Sequence, residues 1–66
     1  MDIEVNGEPR QVPAGTSVGG LLASLGLSRD GVAVAVDQDV VPRSAHPSRV
    51  LRAGERVEII IAVGGG

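Results

Sequence analysis

Few side chains in this 66-residue protein could do chemistry, and most of them stand in the wrong company. Asp37 and Asp39 lie two residues apart, and a carboxylate pair can in principle exchange a proton with a substrate. In an Asp-Gln-Asp segment they read first as polar turn residues, because Asp favours turns. The single histidine, His46, stands in a Pro/Ser-rich stretch with no nearby acid, and reads as a solvated loop side chain rather than as a base. Ser44 and Ser48 lack the glycine-flanked elbow that activates a nucleophilic serine. Gly15-Thr16-Ser17-Val18-Gly19-Gly20 lacks the lysine of a phosphate-binding loop, and no strong strand precedes it. The composition removes further options. There is no Cys, Lys, Phe, Trp or Tyr. Thiolate catalysis, disulfides, cysteine metal sites, Schiff bases and aromatic stacking are therefore excluded. One histidine cannot hold a metal alone. No catalytic residue, no metal and no bound cofactor are expected.

The chain end is different. Val63-Gly64-Gly65-Gly66 stops a strongly hydrophobic segment abruptly. Glycine carries no Cβ, so Gly64 and Gly65 can bend and lie in a channel too narrow for other residues. The carbonyl carbon of Gly66 is uncrowded and open to attack once its carboxylate is activated. A rigid domain with such an end resembles a carried acyl group; a frayed terminus is the alternative reading.

Something must hold that end. Ile3 and Val5 alternate with Asp2, Glu4 and Asn6, the period of a half-buried strand. Asn6-Gly7 signals a type I′ hairpin turn, and a return strand is expected at about Pro9–Val12. Thr16 or Ser17 can cap a helix, with Val18, Leu21, Leu22 and Leu25 on its buried stripe. Gly26 suits a left-handed C-terminal cap with Leu27 folded back over it. Gly19 and Gly20 oppose the helix, at about 1 kcal/mol each relative to Ala. Val32-Ala33-Val34-Ala35-Val36 is a strand with unequal faces, Asp37-Gln38-Asp39 a turn, and Val40-Val41 a short strand stopped by Pro42. Residues 43–50 form an irregular crossover with one helical turn, and Leu51 plugs the core. The last strand spans about Arg56–Val63, with Val57, Ile59, Ile61 and Val63 on one face. As the most hydrophobic strand it belongs in the middle of the sheet, beside the first. The fold expected is α+β: a β-grasp (ubiquitin-like) domain over residues 1–63, a mixed four- to five-stranded sheet packed on one helix, with a flexible glycine tail at residues 64–66.

Size and charge bound the rest. A chain this short buries only about 60% of its unfolded surface, so its 20 Val, Leu and Ile residues must form one well-patterned core. The net charge is −2, with residues 1–39 acidic and 40–66 mildly basic. No dense basic stripe for nucleic acid is present. The longest apolar runs, 32–36 and 59–63, fall far short of the roughly 20 residues that span a membrane. Met1-Asp2-Ile3-Glu4 does not begin a signal peptide, and a cytoplasmic location is expected. If Val32, Val34 and Val36 face the helix, Ala33 and Ala35 face outward; if Ile59 and Ile61 face inward, Ile60 and Ala62 face outward. Ala33, Ala35, Ile60 and Ala62 form the candidate docking face, with ordinary exposed apolar surface as the alternative. Arg43, Arg49 and Arg52 read as a solvated face, with rim contacts to a partner as the alternative.

Taken together and in order, several segments resemble the sulfur-carrier proteins of thiamine biosynthesis, the ThiS family. They are Ile3-Glu4-Val5-Asn6-Gly7-Glu8, Leu21-Leu22 with Leu25-Gly26-Leu27, and Val32-Ala33-Val34-Ala35-Val36. Val40-Val41-Pro42-Arg43-Ser44, Gly54-Glu55-Arg56-Val57-Glu58-Ile59 and Ala62-Val63-Gly64-Gly65-Gly66 complete the set. Gly19-Gly20 and His46 depart from the family pattern, which favours an acidic or Ala-rich first helical turn and an aromatic residue near position 46. The resemblance implies a carrier and not an enzyme. An adenylating (E1-like) partner would use ATP and Mg to convert the Gly66 carboxylate into an acyl-adenylate. Sulfur from a donor such as a cysteine desulfurase system would then make a thiocarboxylate, and thiazole synthase would take up that sulfur. Gly64 and Gly65 would thread into the partner active sites. The protein is expected to be monomeric alone. Rival readings are a carrier serving molybdopterin or another acceptor, a ubiquitin-like modifier, and a plain interaction domain with an inert tail. Molybdopterin carriers are typically longer and richer in aromatics than this chain.

Overall fold

The computed structural model describes residues 1–28 and 30–62. Five strands form one mixed sheet in the order β2-β1-β5-β3-β4. They are β1 (Asp2–Val5), β2 (Glu8–Gln11), β3 (Val32–Val36), β4 (Asp39–Val41) and β5 (Arg56–Ile61). Among the described residues one α-helix, α1 (Val18–Ser24), packs on the sheet, and a 3-10 turn at Arg43–Ala45 lies in the crossover to β5. This is the expected β-grasp, with the last strand parallel to β1 and antiparallel to β3 in the centre of the sheet.

The local chemistry explains each element. Asn6 and Gly7 both adopt positive φ, 50° and 83°, which is the I′ geometry that matches the twist of β1 and β2. The return strand starts and ends one residue earlier than expected, at Glu8 and Gln11. Val12 then drops into the core and its N–H donates to the Met1 carbonyl at 3.0 Å. Ser17, not Thr16, caps the helix: its Oγ accepts from the Gly20 N–H at 3.0 Å. Thr16 donates instead to the Pro13 carbonyl at 2.7 Å and closes the preceding turn. At the other end Gly26 has φ 72°. The N–H of Leu27 donates to the Leu22 carbonyl at 2.8 Å, and that of Gly26 to the Ala23 carbonyl at 3.1 Å. The two bonds together form a Schellman cap.

The core lies between helix and sheet. Val18, Leu21 and Leu22 of α1 pack with Ile3, Val12, Val34, Val36, Val41, Leu51, Val57 and Ile59. Leu51 is buried, as expected of a plug from the crossover. Two expectations are corrected. His46 is 8% exposed, not solvated, and its Nε2 lies 3.1 Å from the Val41 carbonyl. The 3-10 turn rolls the ring under the crossover, where an N–H directed at that carbonyl satisfies both groups. Ile61 shares the inward side of β5 with Val57 and Ile59, which are buried, but at the last position of the strand it is 40% exposed.

Candidate functional site

The site assembled from the described residues is the exit of β5 and the sheet face beside it. β5 is anchored at its start by a clamp. Glu55 accepts from Arg49 Nη2 at 2.7 Å and, through Oε1, from the Arg52 backbone N–H at 2.6 Å. Arg49 also donates to the Val50 carbonyl. The hydrogen bond from Arg49 holds the Glu55 carboxyl below its ordinary value, against a smaller opposing effect of burial; the Arg52 N–H adds to the depression. The same bond raises Arg49. Of the three arginines expected in solvent, Arg49 is thus partly buried and paired, while Arg43 meets Asp30 on the open surface. At the start of the β3–β5 ladder, Asp37 Oδ1 accepts from the Arg56 N–H at 2.9 Å, so Asp37 is structural at the β3–β4 turn.

Beyond the clamp, β5 runs against β3 in the register Val36↔Val57, Ala35↔Glu58, Val34↔Ile59, Ala33↔Ile60 and Val32↔Ile61. Residues directly opposite share a face. Ala33 and Ile60 therefore adjoin on the side away from the helix, with Ala35 one step along. Ile60 is 62% exposed, Ala33 and Ala62 are exposed, and Ala35 is half-buried. Ala62 continues the row: its N–H donates to the Gly31 carbonyl at 2.7 Å. The structure thus brings all of Ala33, Ala35, Ile60 and Ala62 onto one face. It adds a residue that sequence reasoning missed. Val40 pairs with Ala35 from β4 and is 76% exposed. Its signal was present in the Val40-Val41 pair: a strand in which Val41 is buried must turn Val40 outward.

The patch is small-residue and aliphatic, and charge borders it. Glu58 lies opposite Ala35, and Arg56 meets Glu4 across the β1–β5 ladder at 3.8 Å. Such a surface can seat an apolar partner but offers no group to a reaction. Among the described residues no cluster of three or more His, Cys, Asp or Glu could hold a metal, and no helix is long and apolar enough to cross a membrane. The glycines singled out for chemistry, Gly64, Gly65 and Gly66, lie outside the described residues, as does Val63.

Comparison with known proteins gives this geometry its context. The ThiS family model matches residues 3–66. The chain is 39% identical over 66 residues to a thiazole synthase of Magnetococcus marinus and 35% identical to one of Paramagnetospirillum magneticum. All of the chain is matched, but it spans only 20% of the length of each of those proteins. It is 30% identical to the sulfur carrier protein ThiS of Escherichia coli, with 100% of both chains covered. A crystal structure of the thiamine biosynthesis protein ThiS from Geobacter metallireducens superposes with a TM-score of 0.84 at 30% identity, also over 100% of both chains.

Proposed function

This chain belongs to the ThiS family, and from that premise we propose that it is a sulfur carrier of thiamine biosynthesis whose reactive group is the carboxylate of Gly66. The observation that carries this reading is the reach of the family match. It runs from the first strand through the terminal glycines, residues 3–66, which supports reading the domain and the tail together. In this reading residues 1–63 are the handle and residues 64–66 are the carried arm.

A free carboxylate is a poor electrophile. Adenylation by an E1-like partner, using its own ATP and Mg, attaches a good leaving group to Gly66. A persulfide carried by a sulfur donor such as a cysteine desulfurase system displaces AMP to give an acyl disulfide. A thiol, itself oxidised to a disulfide with the donor sulfur, then releases the thiocarboxylate, whose sulfur is a better nucleophile than the oxygen it replaces. Gly64 and Gly65 let the end thread into each partner's active site. The carrier contributes binding and reach, its partners the catalysis. Val40, Ala35, Ala33, Ile60 and Ala62 form the face on which those partners dock. The domain acts as a monomer, in the cytoplasm where ATP is at hand.

Thiazole synthase is the favoured sulfur acceptor. Two relatives that contain a segment matching this whole chain are named thiazole synthases, which favours that acceptor over molybdopterin assembly. The test is intact-mass analysis after incubation with the cognate adenylating enzyme, ATP and a sulfur source. The expected result is a gain matching one oxygen replaced by sulfur, located at Gly66 and abolished when Gly66 is deleted. An unchanged mass with an enzyme of demonstrated competence overturns the reading.

A further inference from the structure

We propose that the side-chain amide of Asn6 is a positioning residue for the glycine end: it takes the place of a missing residue of β1 and sets where the last strand leaves the sheet. The proposal rests on the reading of Gly66 as the loaded group.

β1 stops at Val5, where the chain turns away through Asn6 and Gly7, whereas β5 continues to Ile61. The Asp37 N–H donates to the Arg56 carbonyl and the Ala62 N–H to the Gly31 carbonyl. Even-numbered residues of β5 therefore direct their backbone groups at β3. In an antiparallel ladder the intervening residues direct theirs to the other side, so Val57, Ile59 and Ile61 face β1. The Val57 carbonyl receives the Asn6 backbone N–H at 2.9 Å. Ile59 lies beyond the end of β1, yet both of its backbone groups are met. Asn6 Oδ1 accepts the Ile59 N–H at 2.8 Å, and Asn6 Nδ2 donates to the Ile59 carbonyl at 3.3 Å. A carboxamide carries the same donor and acceptor as a peptide group. It adds one rung to the parallel ladder without adding a residue to the strand. The next position of this kind, Ile61, faces the side that β1 does not cover.

Packing holds the exit only weakly. Ile60 is 62% and Ile61 40% exposed, so the backbone rungs set the path of the chain there. Asn6 supplies the last of them on one side and β3 supplies the other side. A tail that must place one carbonyl carbon in a partner's site is sensitive to the position of its root, since a misplacement of about 1 Å can cost two orders of magnitude in rate.

If Asn6 served only the hairpin turn, glycine would do as well, because glycine adopts the same positive φ. Asn6→Gly therefore separates the two roles. Asn6→Asp keeps the acceptor for the Ile59 N–H and loses the donor. Glu55→Gln, which weakens the clamp at the other end of β5, is the control for lost stability. All are compared with the wild-type chain where each is fully folded. Loading of sulfur is followed by intact mass and amide exchange is read residue by residue. Asn6→Gly is expected to load about tenfold more slowly, in kcat more than in KM, with exchange about tenfold faster at Ile59 and also raised at Ala62. Asn6→Asp falls between, and Glu55→Gln loads at the wild-type rate. Wild-type loading by Asn6→Gly, unchanged exchange at Ala62, or equal slowing by Glu55→Gln each overturns the proposal. Absence of loading in the wild-type chain overturns instead the reading of Gly66 on which it rests.

Discussion

The backbone N–H of Gly19 donates to the carbonyl of His46 at 2.8 Å, and a Cβ built on Gly19 would stand 3.3 Å from the carbon and oxygen of that carbonyl. The first turn of a helix leaves its N–H groups without helical partners. Here the crossover supplies them: the Val18 N–H goes to Arg49 and that of Gly19 to His46. Ser17 takes that of Gly20. The helix docks backbone to backbone on the crossover, and a side chain at position 19 would crowd that contact.

The two adjacent glycines should therefore respond with opposite signs. Gly19→Ala pushes on crossover backbone that cannot swing aside without breaking the hydrogen bond it makes to residue 19. It is expected to destabilise by about 1 kcal/mol or more. At Gly20 a Cβ would meet only Ser17 Oγ at 3.4 Å and Thr16 Cγ2 at 3.7 Å. Gly20→Ala should stabilise by about 0.5–1 kcal/mol through helix propensity. Urea unfolding of both variants decides the matter; two changes of the same sign contradict the packing account.

His46 offers a second check on the same region. Replacing it by Leu keeps an apolar filler but leaves the Val41 carbonyl without its ring N–H. The carbonyl keeps its ladder partner Val34, so the expected loss is that of one hydrogen bond, about 0.5–1.5 kcal/mol. A solvated histidine would give a change near zero in the same denaturation experiment.

Acid should erase the contribution of the Glu55 clamp. Because the Arg49 hydrogen bond depresses the folded carboxyl below its ordinary value of 4.5, the unfolded chain binds the proton more readily. The stability it confers is complete above that unfolded value and is lost as pH falls through the lower folded one. Wild type should exceed Glu55→Gln in stability at neutral pH, and the gap should close only below pH 4.5. A gap independent of pH down to strong acid rules out the ionised clamp as its source.

The apolar row on the sheet can be tested without touching the tail. Ile60→Glu places a charge in its centre at a site already in water, so melting should shift by no more than a few degrees, the range of a surface change of about 0.5 kcal/mol. Sulfur loading by the adenylating enzyme should fall at least about tenfold, as for a charge left unpaired in an apolar interface. Val50→Glu alters another exposed valine that lies off this face and should leave loading unchanged. Equal effects from the two variants would remove the docking role.

Much of this was legible in the chain. Asn6-Gly7, Gly26 and the alternation in Val32–Val36 each state a backbone requirement locally, and the structure meets all three. The outward positions Ala33, Ala35, Ile60 and Ala62 followed from period two alone. What escaped were contacts between segments far apart in sequence. Gly19 read as a helix weakness because its neighbour, His46, is 27 positions away and unseen by propensity. His46 read as solvated because the carbonyl and crossover that enclose it are brought there by the 3-10 turn.

By itself, then, the sequence determined the order and type of the elements, the face each strand presents, and a run of glycines that brings no side chains. Those are properties of neighbouring residues, and backbone sterics and hydrophobic period are enough to decide them. Tertiary structure alone decided how β5 is held at its two ends and what shares its outer face. Asn6 reaches Ile59 across 53 positions, Arg49 clamps Glu55, and Val40 completes a face that three strands share. Hydrogen bonds and packing of that kind depend on which segments the fold brings within a few ångströms, and that distance is not written in any local stretch of residues.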